Sequence, residues 1–357
     1  MKILLVSNMY PSEDDATFGT FVKIFNDGLI RQRPDYEVKK VVISGKPKNS
    51  IQKLFKYVIF YNVLLFNLLF IQFDFIYVHT ITYPTPPIWL ISKFKKLNLI
   101  FNVHGADVLT KSKLAERLKQ MCRPLLRKSL WIVVPSKYFE QIVRDEFPEV
   151  APGKIIISAS GGIHTNFYLK RDFSGYQIFK IGFVSRITRG KGWDTFLDAL
   201  KELNRLNKCY EAFIIGDGED MHKLIDAINH ITGNNHINYL GAKGHNELHE
   251  FYKSVDLFIF PSENKSESLG LVGLEAMAAS TPVIGSNIGG IATYINDGEN
   301  GFLFEPKNSM ELANNIIKYM DSSAKEKNFM MNMAYKTALN YESSKVLTTL
   351  FDKIFPK

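Results

Sequence analysis

Two cysteines in 357 residues, Cys122 and Cys209, are too few and too far apart for a disulfide framework. Neither has neighbours at metal-ligand spacing, so a zinc site is not suggested and a reducing cytoplasm fits best. Clean apolar runs of the roughly 18 residues that a membrane span needs are also missing. The most apolar stretch, Tyr57 to Val78, is interrupted by Asn62, Asn67, Gln72 and Asp74, and reads as a helix followed by a strand. The opening MKILLVSNMYPS lacks a signal-length apolar core and a small-residue cleavage site, and is expected to be a buried first strand. No Gly-x-Gly-x-x-Gly follows it, which argues against a dinucleotide dehydrogenase. Positive charge comes without a recognisable nucleic-acid module, so nucleic acid is not an expected partner.

What is present is globular. Hydrophobic residues make up 46% and charged ones 22%, and 27 Phe with 16 Tyr can fill two cores. At about 150 residues per domain the length points to two domains with a cleft between them. The formal net charge of +8 favours anionic partners, whether nucleotide phosphates, lipid headgroups or nucleic acid.

Short apolar runs recur at ILLVS, VKKVVIS, FDFIYVH, LNLIFNVH, SLWIVVPS and GKIIIS, separated by stretches of helical length. This is the rhythm of an α/β parallel sheet. It pauses in the polar stretch Lys170 to Tyr176 and restarts with FKIGFVS, YEAFIIGDG, INYLGA, SVDLFIFPS, STPVIGS and GFLF. The expected architecture is two doubly wound Rossmann-like domains, residues 1–166 and 177–339. A C-terminal helix at about 340–357 is free to pack back on the first. Ligands of such sheets bind beyond the carboxyl ends of the strands, so the turns there are where chemistry is sought.

The most informative of those turns runs from Pro261 through Glu267 and Gly270 to Glu275, and leads from a strand into a helix. Free amides at a helix start bind anions, and glycine lets backbone approach a ligand closely. Two carboxylates flanking that anion site suit a diphosphate between two polyhydroxylated rings, because carboxylates bind hydroxyls. Two isolated glutamates would be read as solvated. A second turn changes that reading: Ser185-Arg186-Ile-Thr-Arg189-Gly190-Lys191-Gly192-Trp193 carries Arg186 and Lys191 at the first strand-to-helix turn of the second domain, where a diphosphate needs compensating charge.

With these turns the chain resembles retaining glycosyltransferases of family four, which have the GT-B fold of two Rossmann-like domains facing each other across a cleft. Glu267 and Glu275 are separated by seven residues, as in that family's paired-glutamate signature. The similarity extends over most of the chain, through Gly216-Asp-Gly218, Tyr239-Leu-Gly241, Thr281-Pro-Val-Ile-Gly-Ser and Gly289-Gly290.

The resemblance implies that Glu267 holds hydroxyls of the transferred sugar, Glu275 the ribose, and Arg186 with Lys191 the diphosphate. Backbone at Leu269, Gly270 and Leu271 completes these contacts, and Gly216, Gly218 and Leu240 lie by the base. In the first domain Gly19 resembles the glycine loop that approaches the donor phosphate, although many relatives carry two adjacent glycines there. His104, in Asn102-Val-His-Gly-Ala-Asp107, resembles the histidine facing the reacting sugar. His79 ends its strand and is either structural or on the acceptor side. Gly161-Gly-Ile-His164 departs from the family's pattern at both ends, so no catalytic role is carried onto His164.

The implied reaction is same-face transfer from a UDP- or GDP-sugar to a glycan, lipid-linked or other hydroxyl acceptor, in polysaccharide or glycoconjugate synthesis. No Asp-x-Asp triplet occurs, so neither a metal nor a cofactor is expected. The rival readings are a nucleotide-sugar epimerase and a non-catalytic nucleotide-sugar-binding subunit. Fold similarity alone would license no reaction. The expected location is the cytoplasm, with the inner face of the cell membrane suggested by Lys46, Lys48, Lys53 and Lys56 before Tyr57–Phe70 and by Lys93, Lys95 and Lys96.

Overall fold

The computed structural model describes residues 1–15, 18–110, 112–175, 178–231 and 236–355. The chain divides into two units, residues 1–161 with the segment from Ser344 onward, and Gly162–Ser343. The first contains β1 (Lys2–Tyr10), α1 (Thr20–Gln32), β2 (Glu37–Ser44), α2 (Ser50–Phe70), β3 (Phe75–His79), α3 (Thr85–Ile91), β4 (Leu99–Asn102), α4 (Lys113–Lys128), β5 (Trp131–Val134), α5 (Lys137–Glu146) and β6 (Ile155–Ile157). The second contains β7 (Phe179–Val184), α6 (Trp193–Arg205), β8 (Tyr210–Ile215), α7 (Met221–Asn229), β9 (His236–Tyr239), α8 (His245–Ser254), β10 (Leu257–Phe260), α9 (Leu271–Ala278), β11 (Val283–Ser286), β12 (Gly301–Phe304), α10 (Ser309–Asp321) and α11 (Ala324–Ala338). The last helix, α12 (Ser343–Ile354), returns to the first unit.

Every one of the twelve apolar runs forms a strand, in two six-stranded parallel sheets ordered β2-β1-β3-β4-β5-β6 and β12-β11-β10-β7-β8-β9. Continuous rather than alternating apolarity is what a sheet covered on both faces requires. Successive residues of β1 therefore serve opposite cores. Leu4 and Val6 pack with Phe60, Leu64 and Leu68 of α2, whereas Ile3 and Leu5 pack with Val22, Phe25 and Leu29 of α1 and with Leu347, Leu350 and Phe351 of α12. In the second unit Ile181 and Phe183 of β7 meet Phe196 and Leu200 of α6 in the same way.

One expectation is corrected. The stretch Tyr57–Val78 does divide into helix and strand, but the helix begins earlier, at Ser50, where the Asn49 side chain accepts from the Gln52 amide at 2.8 Å. Counted from there, α2 has 21 residues and is long and apolar enough to cross a membrane by length and composition. The asparagines do not break it. Asn62 and Asn67 each turn their amide back to donate to the carbonyl four residues earlier, Val58 at 2.8 Å and Val63 at 2.7 Å.

Candidate active site

In the second sheet β7 and β10 are neighbours, yet the chain leaves β7 toward β8 and leaves β10 toward β11. The two following turns diverge there and open a crevice at the topological switch point, the ligand-binding position of doubly wound sheets. The β7 turn carries Arg186 and Lys191, and the β10 turn carries Ser262 and Glu267. A backbone bond from Glu263 N to Gly190 O at 2.9 Å ties the turns together. Lys191 Nζ lies 2.6 Å from Glu267 Oε2, with the two side chains 14% and 16% exposed. The Ser262 hydroxyl donates to the same carboxylate oxygen at 3.1 Å.

Both turns end in glycines that admit no side chain. Gly192 (φ 73°) and Gly270 (φ 77°) are the N-caps of α6 and α9 in the left-handed region, which glycine enters without the Cβ penalty. A Cβ on Gly192 would meet the Pro261 carbonyl oxygen at 1.9 Å, and one on Gly270 the Phe260 ring at 2.3 Å. Neither helix has a side-chain cap. The Thr195 amide donates to the Asp194 side chain at 3.0 Å and the Gly273 amide to Gly270 O at 3.1 Å, so among the described residues the amides of Trp193, Asp194, Leu271 and Val272 are left to a ligand or solvent, with the positive ends of the helix dipoles behind them.

Glu275 sits within α9, where the Tyr252 hydroxyl of α8 donates to its Oε2 at 3.0 Å. Burial pushes its carboxyl up to about 7, and the tyrosine bond opposes that shift. Leu269 is buried and offers only backbone, whereas Leu271 is half-buried and Leu240 exposed. Gly216 is tied to the neighbouring turn, with its amide donating to Gly241 O at 2.9 Å and its carbonyl accepting from the Tyr239 hydroxyl at 2.8 Å. Gly218 follows in the same loop, where the Asp217 carbonyl accepts from Ile187 N at 2.9 Å, next to Arg186. The turns after β7, β8 and β9 therefore form one hydrogen-bonded rim. Arg186 is on that rim, but it is exposed and makes no side-chain hydrogen bond or ion pair among the described residues.

In the first unit the switch point lies between β1 and β3. Gly19 (φ 76°) starts α1 there, again without a side-chain cap. His79, at the end of β3, places Nδ1 2.9 Å from His104 Nε2 beyond the end of β4, and the Phe21 ring lies 4.1 Å from that of His104. His79 is 1% exposed and its Nε2 has no hydrogen-bond partner. An orphaned buried N–H is costlier than an orphaned lone pair. His79 accordingly holds its proton on Nδ1 and donates it to His104 Nε2, which leaves His104 with Nδ1–H as its donor. Burial holds both rings neutral, with His104 lowered to about 3. His164 is placed elsewhere: its Nδ1 accepts from the Asn166 amide at 3.3 Å, a local capping role.

Three positioning groups escaped sequence reading. Asp107 accepts from the His104 amide at 3.0 Å and the Ile81 amide at 3.1 Å, locking two strand ends together, and burial raises its carboxyl to about 6. Tyr252 and Tyr294 act from distant positions, Tyr294 by donating to Gly270 O at 3.2 Å. Only Asp107, within the quoted Asn102–Asp107 stretch, left a local signal. Among the described residues no group of three or more His, Cys, Asp or Glu could hold a metal ion.

Residues 177–337 match the family of glycosyl transferases group 1. The second unit is a group 1 glycosyltransferase domain. An uncharacterized glycosyltransferase of Methanocaldococcus jannaschii is 29% identical over 225 residues, covering 62% of this chain and 58% of that protein. The amylovoran biosynthesis glycosyltransferase AmsK of Erwinia amylovora is 25% identical over 225 residues, covering 62% and 54%. The chain thus spans little more than half the length of these relatives. Among solved structures, Anabaena HepE in complex with UDP superposes with a TM-score of 0.77 at 18% identity over 99% of both chains. Sucrose-phosphate synthase of Thermosynechococcus elongatus does so at 0.78 and 15% over the same share. At such identities the likeness shows the fold, and the group 1 domain with its Rossmann-like companion has the expected GT-B class.

Proposed function

We propose that this chain is a retaining, metal-independent glycosyltransferase of family four, which moves a sugar from a UDP- or GDP-sugar to a glycan, lipid-linked or other hydroxyl acceptor. The observation that carries the reading is the convergence of Lys191 and Ser262 on Glu267, between two uncapped helix starts. A diphosphate competes with Glu267 for the Lys191 ammonium, and the sugar's hydroxyls replace that ammonium on the carboxylate. Arg186, unpaired on the same rim, adds the second positive charge. Glu275 takes the ribose hydroxyls, while Gly216, Gly218 and Leu240 border the base. Gly19 and His104 of the first unit are assigned the phosphate and sugar contacts that the family resemblance implies. HepE, solved with UDP and with UDP-glucose, supports a nucleotide-sugar donor.

In the reaction the acceptor hydroxyl attacks the anomeric carbon on the face from which the diphosphate departs. The bond from that carbon to the phosphate oxygen breaks as the new glycosidic bond forms. The acceptor's proton passes to the departing phosphate oxygen, leaving a glycoside and a nucleoside diphosphate. Charge growing on that oxygen is met by Lys191 and Arg186, which the bound diphosphate draws in, and by the α9 amides, which the helix holds in place before the reaction begins. Glu267 positions the sugar.

A panel of UDP- and GDP-sugars screened by thermal stabilisation identifies the donor, because a ligand of the folded state raises the melting temperature by mass action. Transfer is then followed in excess chelator, with the anomeric configuration of the product read by NMR. Undiminished turnover and retained configuration are expected. Loss of turnover restored by magnesium or manganese, or an inverted product, overturns the proposal.

A further inference from the structure

Helix α2 is 21 residues long, yet only 22% of its most apolar window is buried. Its inner face is accounted for, since Phe60, Leu64 and Leu68 join the sheet core. The opposite face carries Leu54, Phe55, Val58, Phe66, Leu69 and Phe70, each between 48% and 73% exposed. At 100° per residue these six fall within one half of the helix. Asn62 and, at the edge of that half, Gln52 are its polar residues; the Asn62 amide donates to the Val58 carbonyl, and its exposed oxygen can face water or headgroups. Contiguous exposed apolar surface of this extent marks an interaction site.

Charge says what covers it. Between Glu37 and Asp107 the sequence has nine lysines, no arginine and a single acidic residue, Asp74. Lys95 donates to the carbonyls of Leu68 and Ile71, which pins the turn after α3 to the C-terminal end of α2. That turn adds Phe94, 83% exposed, between Lys93 and Lys95, with Lys96 beyond. At the other end Lys46 and Lys48 are exposed just before the helix begins. An apolar helical face bracketed at both ends by lysines matches the layering of an anionic bilayer surface, with acyl chains below and phosphate headgroups around.

We propose that α2 is an interfacial helix that seats the first unit on an anionic lipid bilayer, lying in its plane. It does not span the bilayer: its inner face is committed to the sheet through Phe60, Leu64 and Leu68, and lipid on all sides would require that core to come apart. This inference is independent of the proposed reaction.

The test is co-sedimentation of the full chain with vesicles of phosphatidylcholine alone and of phosphatidylcholine mixed with phosphatidylglycerol, over a salt series. Binding to the anionic vesicles that weakens with salt is expected, with negligible binding to the neutral ones. The doubly substituted Val58→Ser, Phe66→Ser should lose at least about tenfold in partitioning, by the lost transfer of two apolar side chains. Lys93→Gln, Lys96→Gln should lose about fivefold per lysine at low salt. All four positions are solvent-facing, and circular dichroism confirms that the variants fold. Negligible wild-type binding to both vesicle types overturns the proposal, as does unchanged binding of the apolar variant. Salt-resistant binding to neutral vesicles would mean insertion instead of surface docking. A dimer in light scattering that Phe66→Ser dissociates would show that the face belongs to a second copy of the chain.

Discussion

The Lys191 ammonium and the Glu267 carboxylate form an ion pair at 2.6 Å, drawn from turns that are 76 residues apart in sequence and neighbours at the sheet's switch point. Each residue is therefore the other's competitor for ligand. Lys191→Ala should weaken UDP or GDP binding at least tenfold, because a charge-assisted hydrogen bond is worth roughly 1.5–3 kcal/mol. Glu267→Gln should behave in the opposite sense toward the bare nucleotide, holding or improving its affinity by freeing the ammonium, while transfer collapses. Isothermal titration of the two variants checks both signs, and a shared loss of nucleotide affinity would contradict the competition.

Glu275 makes a pH prediction. Its folded pKa of about 7 lies above the ordinary glutamate value of 4.5, so across that window the folded state holds a proton that the unfolded state has released. Stability from this group is thus lost as pH rises from about 4.5 to about 7, then levels off. Melting temperatures of Glu275→Gln should lack that decline. If ribose hydroxyls donate to the carboxylate, nucleotide affinity should rise with pH up to about 7 and release a proton below it. Titrations in buffers of different ionisation enthalpy detect that proton, and its absence would remove the ribose from Glu275.

The close approach at Gly192 predicts a stability difference between two glycines of one turn. Both Gly190 and Gly192 have positive φ, but a Cβ on Gly190 meets nothing within 4 Å whereas one on Gly192 overlaps the Pro261 carbonyl. Gly190→Ala should cost about 1–2 kcal/mol, the left-handed penalty alone. Gly192→Ala should cost clearly more and also lose nucleotide binding, since the α6 start and the β10 turn must separate. Chemical denaturation of the two variants compares them, and equal losses would show that the contact is not felt.

The histidine pair predicts a spectroscopic signature. Imidazole nitrogen shifts should show His104 protonated on Nδ1 and His79 on Nδ1, both neutral from pH 8 down to pH 5, since burial lowers both. His79→Phe should move the His104 proton toward Nε2 and reduce transfer, with nucleotide affinity unchanged. A His104 signal that titrates near 6.5 would contradict the burial seen here.

Much of the fold was written locally. Twelve apolar runs became twelve strands because continuous apolarity buries both faces of a parallel sheet, and Glu267, Arg186, Lys191 and Gly270 lie in turns or at a helix start beyond strand ends, with Glu275 inside the helix that follows, because the spacing of run and helix leaves them nowhere else. The membrane-length apolarity of α2 is not legible along the chain, where Asn62 and Asn67 read as polar breaks. Only the helix shows each amide donating one N–H back onto its own carbonyls, which lets both asparagines sit within the helix.

Sequence alone thus determined the strand and helix alternation, the charged turns and the family they resemble, all of which depend on neighbours along the chain. Tertiary structure decided which of those turns meet. Strand order, not sequence distance, put Lys191 against Glu267 and His79 against His104, and it brought Tyr252 to Glu275 and Tyr294 to Gly270 across 23 and 24 residues. The physical reason is that hydrogen bonds and ion pairs act over about 3 Å, and no local pattern records which side chains a folded sheet will bring that close.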